Sequence, residues 1–240
     1  MFKKTAKAAA AALALTALLS SCGGGLPDYD YQIDMKPYKN AVTASGKAYL
    51  TLVNKEHPCG ADYVPENLSP IPAELTLYGK EVQMESTAAL AAEALVRELH
   101  AEGFEDIRVT SGYRSYEYQQ ILFNTYLGNE MSKHPDWSAE QCRAEVLTYS
   151  ALPGESEHQT GLCMDLISTQ NVALDETFAD NPAYAWLTEN AHNFGFILRY
   201  PKGDEETTGY TYEPWHYRFV GVEAATKIYN KGQTLEEYLD

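Results

Sequence analysis

The sequence predicts an α+β domain, a central antiparallel sheet with helices packed against it. Three observations lead there. Helix-like and strand-like segments follow one another without the regular strand–helix–strand alternation of a parallel sheet. Apolar residues make up 45% of the 240 residues, enough for one sizeable core. Capping and turn signals divide the chain into segments of ordinary length.

The elements follow in chain order. Residues 22 to 45 are polar, with Tyr, Lys and Gly and no clear period, and read as a tether ahead of a globular domain over 46–240. "YLTLV" (49–53) reads as a short strand. "CGADYVPENLSPIP" (59–72), with Pro65, Pro70 and Pro72, reads as an ordered loop. "STAALAAEALVRELHAEG" (86–103) is a helix: Ala91, Leu95 and Leu99 share one face, Ser86 or Thr87 is placed to cap it, and Gly103 follows its end. "DIRVTSGYR" (106–114) alternates like a strand. "SYEYQQILFNTYL" (115–127) is a second helix. "SAEQCRAEVLTYS" (138–150) is a third, with Ser138 and Gln141 in capping-box spacing. "ESEHQTGLCMDLIS" (155–168) reads as a turn feeding a strand. "NPAYAWLTENAHNFG" (181–195) opens Asn-Pro and closes on Gly195, as a helix does. "FILRY" (196–200) and "EPWHYRFV" (213–220) read as strands, and "VEAATKIYNKG" (222–232) as a closing helix.

With 18 basic against 34 acidic residues the formal charge is −16, which argues against a nucleic-acid partner, since such binding neutralises phosphates with Lys and Arg. No heptad or apolar surface helix points to an obligate oligomer, so a monomer is expected. The first residues stand apart. A short basic start, "MFKK", precedes an apolar run too short for a comfortable membrane span and ending in "LSSC". This resembles the lipobox of a bacterial lipoprotein signal peptide. The resemblance implies removal of residues 1–21, a lipid on Cys22, and an extracytoplasmic domain anchored to the membrane, with "GGG" as the start of its tether. Three cysteines remain beyond Cys22. Export allows disulfides. Cys142–Cys163 is the pairing expected, with three buried thiols as the alternative.

Asp165 is a charge inside a buried-looking strand, and an unpaired buried carboxylate is costly. A metal would neutralise it. His158, seven positions before Asp165, offers a nitrogen, and His216 in "EPWHY" offers another. Two His and one Asp make a three-ligand zinc set that leaves a position for water, as catalytic sites do. Glu213, three residues before His216, is placed to act as general base. Neither His-x6-Asp nor Glu-x-x-His specifies a metal alone. His57, His100, His134 and His192 are expected at the surface.

"SGYRSYEYQ", "SEHQTGLCMDL" and "EPWHYRFVG", in that order, resemble the VanY-like D-alanyl-D-alanine carboxypeptidases. "LVNKEHP", "YVPENL", "ENAHNFGFILRYPKG" and "TLEEYL" resemble them too, so the likeness spans roughly residues 46 to 240. It implies a hedgehog/DD-peptidase-like fold, one Zn2+ per chain, and peptidoglycan stem peptides as substrate. It implies His158, Asp165 and His216 as zinc ligands, Glu213 as catalytic base, and Arg114 as the cation that steadies the substrate carboxylate or the oxyanion. Gln119 and Ser156 match substrate-side positions. Cys163 stands where such proteins often have a small residue; the matched ligand set is complete without it. The family cuts either the D-Ala–D-Ala bond of a pentapeptide or the L-residue–D-Ala bond of a tetrapeptide, and the shared motifs do not choose. An endopeptidase and a metal-holding but non-catalytic wall-binding module are the other readings; Glu213 speaks against the last.

Overall fold

The computed structural model describes residues 25–240. The leader and Cys22 lie outside the described residues, and among those described no helix is long and apolar enough to cross a membrane. In chain order the elements are α1 (Lys39–Val42), β1 (Leu68–Pro70), β2 (Gln83–Glu85), α2 (Ser86–Ala101), β3 (Ile107–Ser111), α3 (Tyr116–Lys133), α4 (Ala139–Tyr149), β4 (Cys163–Ser168), α5 (Pro182–Asn190), β5 (Phe196–Leu198), α6 (Glu205–Thr208), β6 (His216–Phe219), α7 (Val222–Lys231) and α8 (Leu235–Leu239). The strands β3, β4, β6 and β5 lie side by side in that order, every pair antiparallel, and β1 pairs with β2 in a small second sheet. This is the α+β arrangement expected from the sequence.

The main core forms between α2 and the sheet. Ala91, Leu95 and Leu99, the predicted helix face, are fully buried in one cluster with Met164 and Leu166 of β4. Each buried leucine contributes roughly 1.5–3 kcal/mol. Side chains alternate along a strand, so Cys163, Asp165 and Ile167 face away from that cluster. All six residues of β4 are buried. One face of β4 therefore holds the core and the other holds the site.

Several local expectations shift. The cap of α2 is Glu85 rather than Ser86 or Thr87; its carboxylate accepts from the N–H groups of Thr87 and Ala88 at 2.9 and 3.1 Å. The Ser138–Gln141 capping box forms as read. β3 stops at Ser111, where a register shift between Val109 and Ser111 turns the chain out of the ladder. "YLTLV" is not a strand. Lys47–Leu50 is a 3-10 turn, and the carbonyls of Tyr49 and Thr51 accept from Arg218 rather than from a neighbouring strand.

The stretch expected as a tether is packed on the domain over residues 25–45. Met35, Ala41 and Val42 are buried, and Tyr29 and Tyr31 set their rings edge-on to Phe194 at 6.0 and 5.4 Å. The buried Glu98 carboxylate on α2 accepts the backbone N–H groups of Gln32 and Ile33. An irregular segment packs without a period, so hydrophobic spacing does not reveal it. The expected Cys142–Cys163 bridge does not form. Both are free, buried thiols, one on α4, which packs against α3, and one on the site face of β4.

Candidate metal centre and active site

Three local devices bring the ligands together. The 3-10 turn Glu157–Thr160 presents His158, and Gly161 then takes φ +67°, a left-handed conformation natural to glycine. A Cβ at Gly161 would also press on the backbone N of Glu85. The turn delivers the chain into β4, and Asp165 lies directly opposite His216 of β6 in the ladder. On its other side Asp165 is opposite Ser111, just past the β3 irregularity, which aims the following "GYR" at the site. Gly112 belongs there because a side chain would collide with the carbonyl of Gln83.

The resulting cluster is compact and buried. His158 Nε2 lies 3.3 Å from Asp165 Oδ2, and His216 Nδ1 lies 3.2 Å from Asp165 Oδ1. His158 donates from Nδ1 to the Gly112 carbonyl at 2.6 Å, so its Nε2 is left with a lone pair facing Asp165. Asp165 Oδ1 is buried without a hydrogen-bond partner. Burial opposes the Asp165 charge, but His158, His216 and Arg114 outweigh it and hold the carboxyl well below the usual range. Two imidazole nitrogens and a carboxylate in mutual reach, with an orphaned oxygen among them, are a donor set that fits zinc.

Glu213 closes the group. It sits in the turn before β6, with Oε2 3.5 Å from His216 Nδ1. Burial, with the Asp165 charge adding, pushes its carboxyl up to about 7, against the pull of His216, His158 and Arg114. A base works best with a pKa near the operating pH. Arg114 reaches in from the loop between β3 and α3. Its Nη2 donates to His158 Nε2 at 2.7 Å and Asp165 Oδ2 at 2.8 Å, its Nε to Ser111 Oγ at 3.0 Å, and its Nη1 to Gln119 Oε1 at 3.3 Å. A metal on those two ligand atoms takes them from Arg114 and leaves the Ser111 and Gln119 contacts compatible.

All the predicted site residues line one cavity of about 210 Å³: Arg114, Gln119, Ser156, His158, Asp165, Glu213 and His216, walled by Trp215 and by Tyr126, Tyr149, Tyr200 and Tyr210. Gln119 is buried, and its amide donates to the Ala151 carbonyl at 2.8 Å while its oxygen holds Arg114. That geometry makes it a positioning group for the arginine. None of His57, His100, His134 and His192 lines the cavity. His192 is half-buried, its ring stacked on Tyr229 at 4.2 Å. Cys163 lies beside the centre: its Sγ and one ring nitrogen each of His158 and His216 fall within 4.8 Å of one another.

Sequence reasoning missed Glu157, Arg199 and Arg218. The three are fully buried beside the site, with Glu157 Oε1 accepting from Arg199 Nε at 2.8 Å and Arg218 Nη1 at 2.6 Å. The available signal was the one that exposed Asp165, a charge inside an apolar strand pattern, here in "FILRY" and "HYRF".

Two imidazoles and a carboxylate that could hold a cation, a buried carboxyl beside them and an arginine at the cavity are the arrangement that a metallohydrolase would need. The VanY profile, D-alanyl-D-alanine carboxypeptidase, matches residues 81–222. The chain is 40% identical over 191 residues to the D-alanyl-D-alanine carboxypeptidase of Enterococcus faecalis, which covers 80% of this chain and 65% of that protein. Among solved structures it resembles the LD-carboxypeptidase LdcB (37% identity, TM-score 0.69, 80% of this chain and 85% of that one). It also resembles a mutant of the D,D-pentapeptidase VanY from a VanB-type resistance cassette, solved with Zn(II) (37%, 0.68, 80% and 99%). VanYB with D-alanine-D-alanine is similar to the same degree (38%, 0.67, 80% and 97%). The chain belongs to the VanY D-alanyl-D-alanine carboxypeptidase family.

Proposed function

We propose that this protein is a zinc-dependent D-alanyl-D-alanine carboxypeptidase that trims the C-terminal D-alanine from peptidoglycan stem peptides. We place it outside the cytoplasm, held to the membrane through lipid on Cys22. The observation that carries the activity is the convergence of His158, Asp165 and His216 in one cavity with buried Glu213 alongside. Zinc, when bound by those three side chains, acidifies a water and polarises the scissile carbonyl. Glu213 takes the proton of the attacking water and returns it to the departing D-alanine amine. Arg114, fixed through Ser111 and Gln119, offers a guanidinium to the terminal carboxylate or to the oxygen that gains charge as the tetrahedral centre forms. The aromatic walls exclude water around the reacting bond.

A second reading keeps the same chemistry and moves the cut to the L-residue–D-Ala bond of a tetrapeptide; the likeness to LdcB favours it. Purified protein incubated with pentapeptide and tetrapeptide stems, with and without a chelator, and followed by mass spectrometry, separates the two. Loss of one alanine from the pentapeptide alone, blocked by chelator, supports the D,D reading, and loss from the tetrapeptide supports the L,D one. If neither is cut while one zinc is bound per chain, a wall-binding module replaces both. Glu213→Gln is expected to keep its zinc and lose about 10²- to 10⁴-fold in kcat; full activity in that variant would sink the mechanism.

A further inference from the structure

His158 and His216 face the cation site through different nitrogens, and only one has an evident device that selects its tautomer. His158 Nδ1 donates to the Gly112 carbonyl, leaving Nε2 for the site. His216 faces Asp165 and Glu213 through Nδ1, and must therefore carry its proton on Nε2 to be a ligand. His216 Nε2 is buried and has no hydrogen-bond partner. Neither has Glu157 Oε2, and the two atoms lie 3.6 Å apart.

The rest of Glu157 explains why that oxygen is kept for the histidine. Both arginines bind Oε1: Arg199 through Nε at 2.8 Å and Arg218 through Nη1 at 2.6 Å. The remaining arginine nitrogens donate elsewhere. Arg199 holds Glu236 of α8 with both terminal nitrogens at 2.8 and 2.6 Å. Arg218 donates from Nη2 to the carbonyls of Tyr49 and Thr51 and from Nε to that of Phe219. Two carboxylates and two guanidinium groups balance in charge, so the cluster needs no proton from His216, only its N–H. One oxygen of Glu157 is thus locked by two cations, and the other lies nearest a single acceptor-seeking group, His216 Nε2.

We infer that Glu157 is a positioning residue that sets the tautomer and ring orientation of His216, and that the Arg199–Arg218–Glu236 cluster exists to hold its carboxylate in that pose. The inference rests on the reading of His216 as a zinc ligand. Such outer carboxylates orient a ligating imidazole, and their loss costs about 10- to 100-fold in metal affinity. The cluster also ties the site to both ends of the domain, since Tyr49 and Thr51 precede the first sheet and Glu236 belongs to the last helix.

Glu157→Gln tests it sharply. With both arginines claiming the amide oxygen, the side-chain NH2 is left facing His216 and donates where the carboxylate accepted. The His216 proton is then driven to Nδ1, the atom a metal needs. In protein labelled with 15N-histidine, long-range 1H–15N spectra read each ring tautomer. The expected result is an Nε2–H His216 in the wild type, an Nδ1–H His216 in metal-free Glu157→Gln, and zinc binding weakened about 10- to 100-fold in competition with a chromophoric chelator. A folded Glu157→Gln with the wild-type tautomer and zinc affinity within twofold overturns the inference, because a merely structural role would alter melting and nothing else. If the variant does not fold, the wild-type spectrum decides: a neutral His216 carrying its one proton on Nδ1 in the metal-free protein overturns it equally. A wild type that takes no zinc defeats the zinc reading itself, while the tautomer remains readable.

Discussion

Asp165 and Glu157 are both buried carboxylates set against His216, and they are neutralised in opposite ways. Glu157 is closed in: two fully buried arginines bind one oxygen, and further protein groups accept from each of the other arginine nitrogens. Asp165 is open-ended: it faces the cavity, its guanidinium partner Arg114 is partly exposed, and Oδ1 has no hydrogen-bond partner. In charge the first arrangement is complete within the chain, although Glu157 Oε2, like Asp165 Oδ1, has no hydrogen-bond partner. The second leaves a place that a cation from outside would complete, as proposed above. A buried charge marks a binding site when the protein leaves its compensation unfinished, and a piece of scaffold when it does not.

The largest expected effect separates the two by stability. Removing Glu157 leaves buried Arg218 with no carboxylate and Arg199 with Glu236 alone, so Glu157→Ala should cost about 3–5 kcal/mol of unfolding free energy in urea titrations. Asp165→Asn should cost the metal-free protein only about 1–3 kcal/mol, because water in the cavity reaches Arg114, yet should abolish tight zinc binding. Equal costs for the two variants would erase the distinction.

The pH dependence of stability sharpens it, since two buried glutamates next to His216 pull in opposite directions in the metal-free protein. Glu157 is held well below its ordinary 4.5: burial opposes its charge, and the arginines outweigh it. Its contribution is present above about pH 4.5 and is lost as pH falls below that value. Glu213 is raised by burial from 4.5 to about 7, so the unfolded chain gives up that proton first, and stability falls as pH rises from 4.5 through about 7. Urea titrations across pH 3 to 8 should therefore show Glu213→Gln removing the loss between 4.5 and 7, and Glu157→Gln removing part of the acid-side loss. Bound zinc favours the Glu213 carboxylate, so the acid limb of kcat/KM belongs below 7. An acid limb above 7 would count against Glu213 as the base.

The smallest effect concerns Cys163, which shares the site face of β4 with Asp165. The ligand set is complete without sulfur, so Cys163→Ala should change zinc affinity less than threefold and stability by about 1 kcal/mol. Cobalt substitution checks this directly: an intense near-ultraviolet sulfur-to-cobalt band that disappears in Cys163→Ala would make the thiol a ligand.

Arg114 entered only through the family resemblance; the sequence by itself determined the α+β class, the core face of α2 and the Ser138–Gln141 cap, and offered His158, Asp165, Glu213 and His216 as site candidates. Those rest on local spacing and on a charge set in an apolar strand, which one dimension records. Only the tertiary structure decided the rest. Residues 25–45 pack on the domain through Tyr29, Tyr31 and Met35, an irregular contact that has no period. "YLTLV" lends its carbonyls to Arg218, more than 160 residues away, so no local propensity could report it. Cys142 and Cys163 stay free thiols on different elements, α4 and β4. Glu157 lies next to His158 in the chain, but its partners Arg199, Arg218 and His216 reach it from β6 and the end of β5. Pairing of a buried charge is a property of the folded chain, because the compensating groups come from segments that only folding brings within 3 to 4 Å.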